Sequence, residues 1–416
     1  MAETAALLAD AVLPEQPLRQ WVLSLPMALR FLLATRPAVL SEVLGVVYRT
    51  ISGHLRASAR VRCAAGHTGA VTLIQRFGSA LNLNVHFHMI FVDGVYVTDA
   101  AGELVFRAAR SPSAGALQAL VQRLAEGIGR LLEKRGLIER DAESAWLSGE
   151  LEPAGALDEL LGHCITWRIA VGPRAGQKVF TLQTVAAQCE GEARSGAAQA
   201  GGFSLHAGAS IKRGQRGKLE RLCRYVSRGP LAEERLSVSA SGQVCYGFKT
   251  PWRDGTTHVV LEPLDFIARL AALVPPPRRH LTRYHGVLAP HSGLRARVTP
   301  AGRGKGSTRT DGADGTVQGA QQGAQRPGIT EGTTHSAQSR GLPRPVAMCW
   351  AQRLKRVFGI QIESCARCGA RLKRVASIED PAVIARILAR LDQVSDSPQD
   401  NPVLHAARAP PGQSAA

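Results

Sequence analysis

The stretch that most constrains this chain is Leu83-Asn84-Val85-His86-Phe87-His88-Met89-Ile90-Phe91-Val92. Its apolar and β-branched residues read as a buried strand. Side chains alternate along a strand, so His86 and His88 share one face while Phe87 takes the other. Two neutral imidazoles aimed at the same point form half of a divalent metal site. The triplet gains meaning from a second element, Arg221-Leu222-Cys223-Arg224-Tyr225-Val226-Ser227-Arg228.

That second element reads as a helix, on which positions three and four apart stack on one face. Arg221, Tyr225 and Arg228 therefore present a phenol between two guanidiniums. Such a trio suits a tyrosine oxygen attacking a phosphodiester, because arginine binds phosphate oxygens and favours the phenolate form. The competing reading is an ordinary half-buried aromatic beside a solvated charged face.

Charge points to the class of partner. Lys and Arg number 51 against 33 Asp and Glu, a formal net charge of +18, which favours a polyanion. A membrane surface is the rival, but no apolar stretch is long enough to span a bilayer, and Arg30 and Arg36 interrupt the apolar N-terminal run. The opening Met1-Ala2-Glu3-Thr4 is acidic, unlike a secretory signal. Nucleic acid is the expected partner. Eight cysteines in a chain of 416 residues do not make a disulfide scaffold. Cys63, Cys164, Cys189, Cys223 and Cys245 are expected as small buried hydrophobes in a reducing, cytoplasmic setting.

The patterning predicts an α+β fold, an antiparallel sheet with flanking helices. Residues 1–65 read as a helical N-terminal segment, with helical spacing from about 17 to 60 through Trp21, Leu25, Leu29, Leu32, Val39, Val43, Val46 and Val47. A domain over 66–298 follows. It opens with the strand Val71-Thr72-Leu73-Ile74 and the histidine strand, with a hairpin expected at Asp93-Gly94 and a return strand after it. A strand over 103–107 follows the Ala100-Ala101-Gly102 turn. A long helix should run from a Ser111 or Ser113 cap to Gly136, and another from Ala156 to Ile169. Residues 190–202 read as a loop. The tyrosine helix spans about Gly217 to Arg228 and stops at Gly229-Pro230. Hairpins at Ser241-Gly242 and Asp254-Gly255 join strands over 243–249 and 256–261, and a helix over 264–274 ends at Pro275-Pro276-Pro277. Residues 299–344 lose almost every large apolar residue and read as a disordered linker. A small C-terminal module over 345–395 carries Cys365-Ala366-Arg367-Cys368 and a helix over 381–391, and 396–416 is a disordered tail.

The histidine strand and the tyrosine helix together resemble the rolling-circle insertion-sequence transposases of the IS-ninety-one type, including the common-region elements, within the HUH superfamily of single-strand endonucleases. The resemblance rests on the stretch from Gln75-Arg76-Phe77-Gly78 to Val85-His86-Phe87-His88, on Leu222 to Arg228, and on Tyr284-His285-Gly286-Val287-Leu288-Ala289-Pro290. It covers roughly residues 1–297 and resumes at about 345–392. It implies an HUH nuclease-like core in which His86 and His88 hold Mg²⁺ or Mn²⁺, and in which Tyr225 attacks phosphorus to leave a 5′-phosphotyrosine. The metal polarises the scissile phosphate, and the covalent link conserves the bond for rejoining. The implied partners are single-stranded DNA at the element's ends and at its target, and the implied location is the bacterial nucleoid. No motif specifies an oligomeric state.

Superfamily sites usually have a third polar ligand. Gln75 is the first candidate, against a capping or ladder-edge role for its amide, and Asp93 in the hairpin turn is the second. Arg221 or Arg228 would assist the phenol. Arg224, Arg278, Arg279 and Arg283 are candidate DNA contacts, against a solvated loop for the last three; His285 could approach the site. Cys365 and Cys368, with Cys349 as a third donor, make part of a zinc site, against a plain knuckle turn or zinc-ribbon remnant.

Three departures from the family stand out. Position 229 is Gly where some members carry a second tyrosine, which leaves one nucleophile. The cysteine-rich zinc module that precedes the equivalent of Met1 in full-length relatives is absent, so the chain reads as N-terminally truncated. The linker reads as expanded or degenerate. One alternative is therefore a truncated, catalytically impaired DNA-binding remnant. Another is an amidohydrolase-type metal enzyme, which also begins with a His-x-His strand but needs parallel strands and later histidines.

Overall fold

The histidine run forms the strand Leu83–Val92, and partners occupy both of its edges. On one side Gly69–Phe77 pairs with it antiparallel, placing Gln75 opposite His86 and Leu73 opposite His88. On the other side lies Leu18–Ser24, with Val22 opposite His88 and Ser24 opposite His86. This is a computed structural model, describing residues 2–302 apart from 63–64, 141–144, 149–154, 186–196 and 253, and residues 348–395 apart from 366–367, 373–377 and 379. It divides into two compact units, 1–340 and 341–416.

The first unit is α+β. Its seven-stranded sheet runs in the order Thr282–Gly286, Gly69–Phe77, Leu83–Val92, Leu18–Ser24, Phe203–His206, Ala198–Ala200, with Ser210–Ile211 also pairing with Leu18–Ser24. Every described pairing is antiparallel, which excludes the parallel barrel of an amidohydrolase. A four-stranded sheet, Leu236–Val238, Val244–Gly247, Thr256–Leu261 and Phe180–Gln183, stands beside it. Among the described residues, no helix is long and apolar enough to cross a membrane.

Alternation sorts the side chains of the main sheet onto two faces. Trp21, Leu23, Ile74, Phe87, Met89 and Phe91 share one core with residues of the helices Met27–Thr35, Pro37–Ser58, Ala114–Lys134 and Ala156–Ile165. Leu18, Val71, Leu73, Ile90 and Val92 face the other way. They pack with the N-terminal helical turns Ala2–Val12 and with Leu219, Cys223 and Val226 of the helix Arg216–Val226. His86 and His88, in phase with Ile90 and Val92, lie on this second face. The tyrosine helix is thus laid over the histidines by burial of its own apolar side.

The sequence reading needs correction at three places. Helical spacing from residue 17 proves to be a strand over Leu18–Ser24, followed by the two helices from Met27 to Ser58. The strand is buried on both faces, so it lacks the apolar–polar alternation that marks a half-exposed strand. It lies inside the sheet, and a boundary at residue 65 would sever it from its neighbours. Asp93-Gly94 is no hairpin either: Gly94–Thr98 pairs with Leu104–Ala108, not with the histidine strand. Gly94 is needed because a Cβ there would come within 2.3 Å of the Arg107 carbonyl oxygen. Lastly, the loop over 190–202 contains the strand Ala198–Ala200, which pairs with Phe203–His206 through Gly201 and Gly202, both at positive φ. The helix expected over 156–169 ends at Ile165. The Ser113 cap holds, accepting a hydrogen bond from the Ala116 amide at 3.2 Å.

In the second unit the helix Trp350–Phe358 is closed by Gly359 at φ +71°, and the Cys349 amide donates to Gln352 Oε1 at 3.0 Å in a capping box. The final helix extends to Ser395. The expected linker from residue 303 onward, the tail over 396–416, Cys63 and Cys189 lie outside the described residues.

The Asp93 carboxylate is buried and receives Arg19 Nη2 at 2.8 Å and Arg19 Nε at 3.1 Å. Arg19 lies opposite Phe91 in register, on the face away from the histidines, so Asp93 is a structural anion and not their ligand. Asp93→Ala should destabilise the fold by about 3–5 kcal/mol, the cost of leaving a buried charge unpaired. Urea unfolding would show this as a lower midpoint; an unchanged midpoint would contradict the assignment.

Candidate active site

Three elements converge on the second face of the sheet. The histidine strand supplies His86 and His88, with ring centroids 5.0 Å apart. The helix Arg216–Val226 supplies Tyr225, whose ring stands edge-on to His88 at 6.0 Å between centroids. The neighbouring strand supplies Gln75, whose side-chain amide donates to the Val226 carbonyl at 2.8 Å. The last four carbonyls of a helix lack partners within it. One of them is met here by a residue opposite His86 in the sheet, one position from the tyrosine.

Each imidazole is held through Nδ1. In His86 it donates to the Asn84 carbonyl oxygen at 2.9 Å, and in His88 it accepts at 2.8 Å from the side-chain amide nitrogen of Gln20, itself buried in the strand Leu18–Ser24. Neutral His86 therefore keeps a free lone pair on Nε2, whereas neutral His88 carries its proton on Nε2 and offers a lone pair there only when the Gln20 amide is turned over so that its oxygen accepts from Nδ1. Burial lowers the pKa of both, reinforced at His86 by Arg30 and Arg228 and at His88 by His86 and Arg228; His88 falls to about 3. Neutral, buried imidazoles are what a divalent cation requires of its ligands. His86, the amide oxygen of Gln75 and, with the Gln20 amide turned over, His88 are the groups that could hold Mg²⁺ or Mn²⁺, with coordination completed by water and substrate. Among the described residues no cluster of three His, Cys, Asp or Glu side chains forms an alternative site.

Tyr225 is 42% exposed. The other four tyrosines, Tyr48, Tyr96, Tyr246 and Tyr284, all have phenols raised in pKa chiefly by burial. Arg228 stacks its guanidinium 4.7 Å from the Tyr225 ring centroid, while Arg221 lies exposed one turn earlier. Lys249 Nζ, 5.9 Å from the same centroid, arrives from the loop after Val244–Gly247. No motif marks Lys249 or Gln20; both are found only through the pairing of distant strands.

The other candidates distribute differently. Arg224 forms an i,i+4 ion pair with Glu220 at 3.5 Å. Arg278 and Arg279 are exposed between the helix Pro263–Leu273 and the edge strand Thr282–Gly286. Arg283 and His285 pair with Thr72 and Ala70, which puts them on the face away from the histidines. His285 stacks on Tyr48 at 5.1 Å, so it does not join the site. Cys349 serves as a helix cap, and near Cys365 and Cys368 the Gly369 amide donates to the Cys365 carbonyl at 2.9 Å. Among the described residues, no group of three or more His, Cys, Asp or Glu side chains gathers there.

An apolar cavity of about 510 Å³ adjoins the site, lined in part by Gln75, Arg228, Pro230, Leu231, Leu273 and Val274.

A family model, Y2_Tnp, described as "Putative transposase", matches residues 69–295. No curated protein and no solved structure matches the chain.

Removing a group that orients a metal-binding imidazole typically costs 10–100-fold in metal affinity. Gln20→Leu should weaken Mn²⁺ binding by about that factor, read by electron paramagnetic resonance titration; unchanged affinity would contradict an orienting role. A pH effect follows from His285, whose pKa is lowered by burial and by Arg283 from 6.5 to about 4. A group that binds fewer protons folded than unfolded contributes fully above the unfolded value and loses that contribution as pH falls towards the folded one. His285→Phe, which keeps the stack on Tyr48, should flatten the fall in stability between pH 6.5 and 4. An unaltered slope would contradict this.

Proposed function

The chain belongs to this transposase family, and we propose that it nicks and rejoins single-stranded DNA through a 5′-phosphotyrosine intermediate, as HUH enzymes of the rolling-circle type do. The observation that carries this reading is the edge-on approach of Tyr225 to His88, 6.0 Å between centroids, on the face that His86 shares. A phosphodiester placed between the phenol and the two Nε2 atoms would touch all three groups.

The steps follow from the side chains. Tyr225 Oη forms a bond to phosphorus, and the bond from phosphorus to the 3′ oxygen breaks in line with it. The phenol proton goes to solvent, to which Tyr225 is open, and the departing 3′ oxygen takes up a proton to become a free hydroxyl. Arg228, stacked on the ring, is placed to hold non-bridging phosphate oxygens while charge develops. Lys249 enters from the opposite element with a second positive charge. His86, His88 and Gln75 would hold Mg²⁺ or Mn²⁺, which supplies Lewis-acid polarisation of the phosphate when bound. Rejoining is the reverse: a 3′ hydroxyl attacks phosphorus and releases the phenol. No water is needed, and the phosphoester energy is retained. The net charge of +18 supports a polyanionic strand as substrate.

Single strands fit the site better than duplex, since a half-exposed phenol set into a sheet face needs a backbone that can bend down to it. Protein incubated with Mn²⁺ and a single-stranded oligonucleotide carrying the element's end should give a covalent adduct that survives denaturing electrophoresis. Tyr225→Phe should abolish the adduct while retaining DNA binding, and His86→Ala should reduce cleavage by orders of magnitude. Equal cleavage of duplex, or wild-type cleavage by Tyr225→Phe, would overturn the mechanism. Binding without any adduct would favour the impaired DNA-binding remnant.

A further inference from the structure

Trp167, Phe248 and Trp252 meet beside the four-stranded sheet. Ring centroids lie 4.8 Å apart for the two indoles, 5.0 Å for Phe248 and Trp252, and 6.4 Å for Trp167 and Phe248. All three are partly exposed, and of the three it is Phe248 that packs against the main core. Every other set of touching rings among the described residues includes a buried member: Trp21 and Phe91 in one, Tyr96 in another, His88 in the third. Each ring of the exposed cluster is also followed in the chain by a cation, as Trp167-Arg168, Phe248-Lys249 and Trp252-Arg253.

Two contacts tie this region to the tyrosine. Lys249 places Nζ 5.9 Å from the Tyr225 ring centroid. Consecutive Cα atoms lie about 3.8 Å apart, so Phe248 starts one peptide step from that lysine. From the same sheet, Tyr246 Oη donates to the Pro230 carbonyl at 3.3 Å, just beyond the tyrosine helix. The loop carrying Lys249 is itself closed: the Phe248 amide donates to the Thr257 carbonyl at 2.7 Å and the Trp252 amide to the Thr256 carbonyl at 2.8 Å. Trp167 arrives from the end of the helix Ala156–Ile165. There it stands at φ +61°, in the left-handed position that closes a helix, with the Arg168 amide bonded to the His163 carbonyl at 3.0 Å.

Rings that meet edge-on do not spend their faces on one another, and Trp167 crosses Trp252 at 80°. Every nucleobase has a π-face, so rings interleaved with cations bind a single strand with little regard to its sequence. We propose that Trp167, Phe248 and Trp252 form a stacking platform for the unpaired bases on one flank of the phosphodiester attacked by Tyr225, with Lys249 bridging platform and phosphate. The platform rests on the single-strand nuclease reading above and adds to it a base subsite. It also supplies a preference that phosphate contacts cannot, because a duplex carries the same phosphates but keeps its bases stacked within itself.

The test separates stacking from charge. Tyr225→Phe protein, which should bind without reacting, is titrated with a single-stranded oligonucleotide at several salt concentrations. Adding Trp252→Ala should weaken binding roughly five- to hundredfold, the range for one base on an aromatic ring, and leave the salt dependence unchanged. Lys249→Gln should instead lower that dependence by about 0.7, the value for one phosphate on a single strand. Trp167→Gly removes a ring at a left-handed position that glycine favours, so the helix end is kept while binding weakens. Trp252→Tyr should recover most of the affinity, and matched thermal midpoints would show that the variants fold. Abasic positions on one flank of the scissile phosphate should weaken the parent but cause no further loss in Trp252→Ala. Parent affinity in both Trp167→Gly and Trp252→Ala, or abasic penalties that add in full at every position, would overturn the platform and leave the cluster as packing alone. A parent that binds no single strand, with no adduct from the wild type, would overturn the nuclease reading as well, so the two failures are distinguishable.

Discussion

The hydrogen bond from Gln75 to the Val226 carbonyl holds the candidate site together. Strand pairing fixes Gln75 opposite His86, and helix geometry fixes Val226 next to Tyr225. A single side-chain bond between them sets the distance between the candidate nucleophile and the candidate metal ligands. It does so inside a buried contact, where Gln75 is only 6% exposed and where an unmet helix-end carbonyl would be costly. Leu219, Cys223 and Val226 supply the apolar adhesion of the helix, and Gln75 supplies its register along the sheet. The same amide is the candidate third ligand, so one residue could tie nucleophile to metal through its two ends.

Electrostatics around this tether is one-sided. The imidazoles are kept neutral by burial and by flanking cations, and Arg228 forms no ion pair among the described residues. On the opposite face of the sheet Arg19 and Asp93 neutralise each other.

Much of this was legible in the sequence where chemistry and local periodicity coincide. His86 and His88 declare a strand face by their spacing, and Tyr225 with Arg228 declares a helix face. Ser113, Gly242 and Gly255 mark a helix start and two turns by their own backbone preferences. The strand Leu18–Ser24 was not legible. It lies deep in the sheet, and the spacing of Trp21, Leu25, Leu29 and Leu32 imitates a helix across what is a strand followed by a helix. With that strand the roles of Arg19 and Gln20 were lost, because each depends on a partner about 70 residues away in sequence. Asp93 failed for the same reason, since a carboxylate's partner decides whether it ligates or neutralises. Arg283 and His285 were assigned by composition, and only strand register reveals that they face away from the site.

The most direct test of the central claim is to locate the covalent bond. Among five tyrosines, Tyr225 alone should carry it. Protein reacted with a single-stranded oligonucleotide and Mn²⁺, digested with nuclease and trypsin, should yield one phosphate-bearing tyrosine peptide by mass spectrometry, that of Tyr225. A nucleotide found on Tyr246 or Tyr284, or on no tyrosine at all, would contradict it.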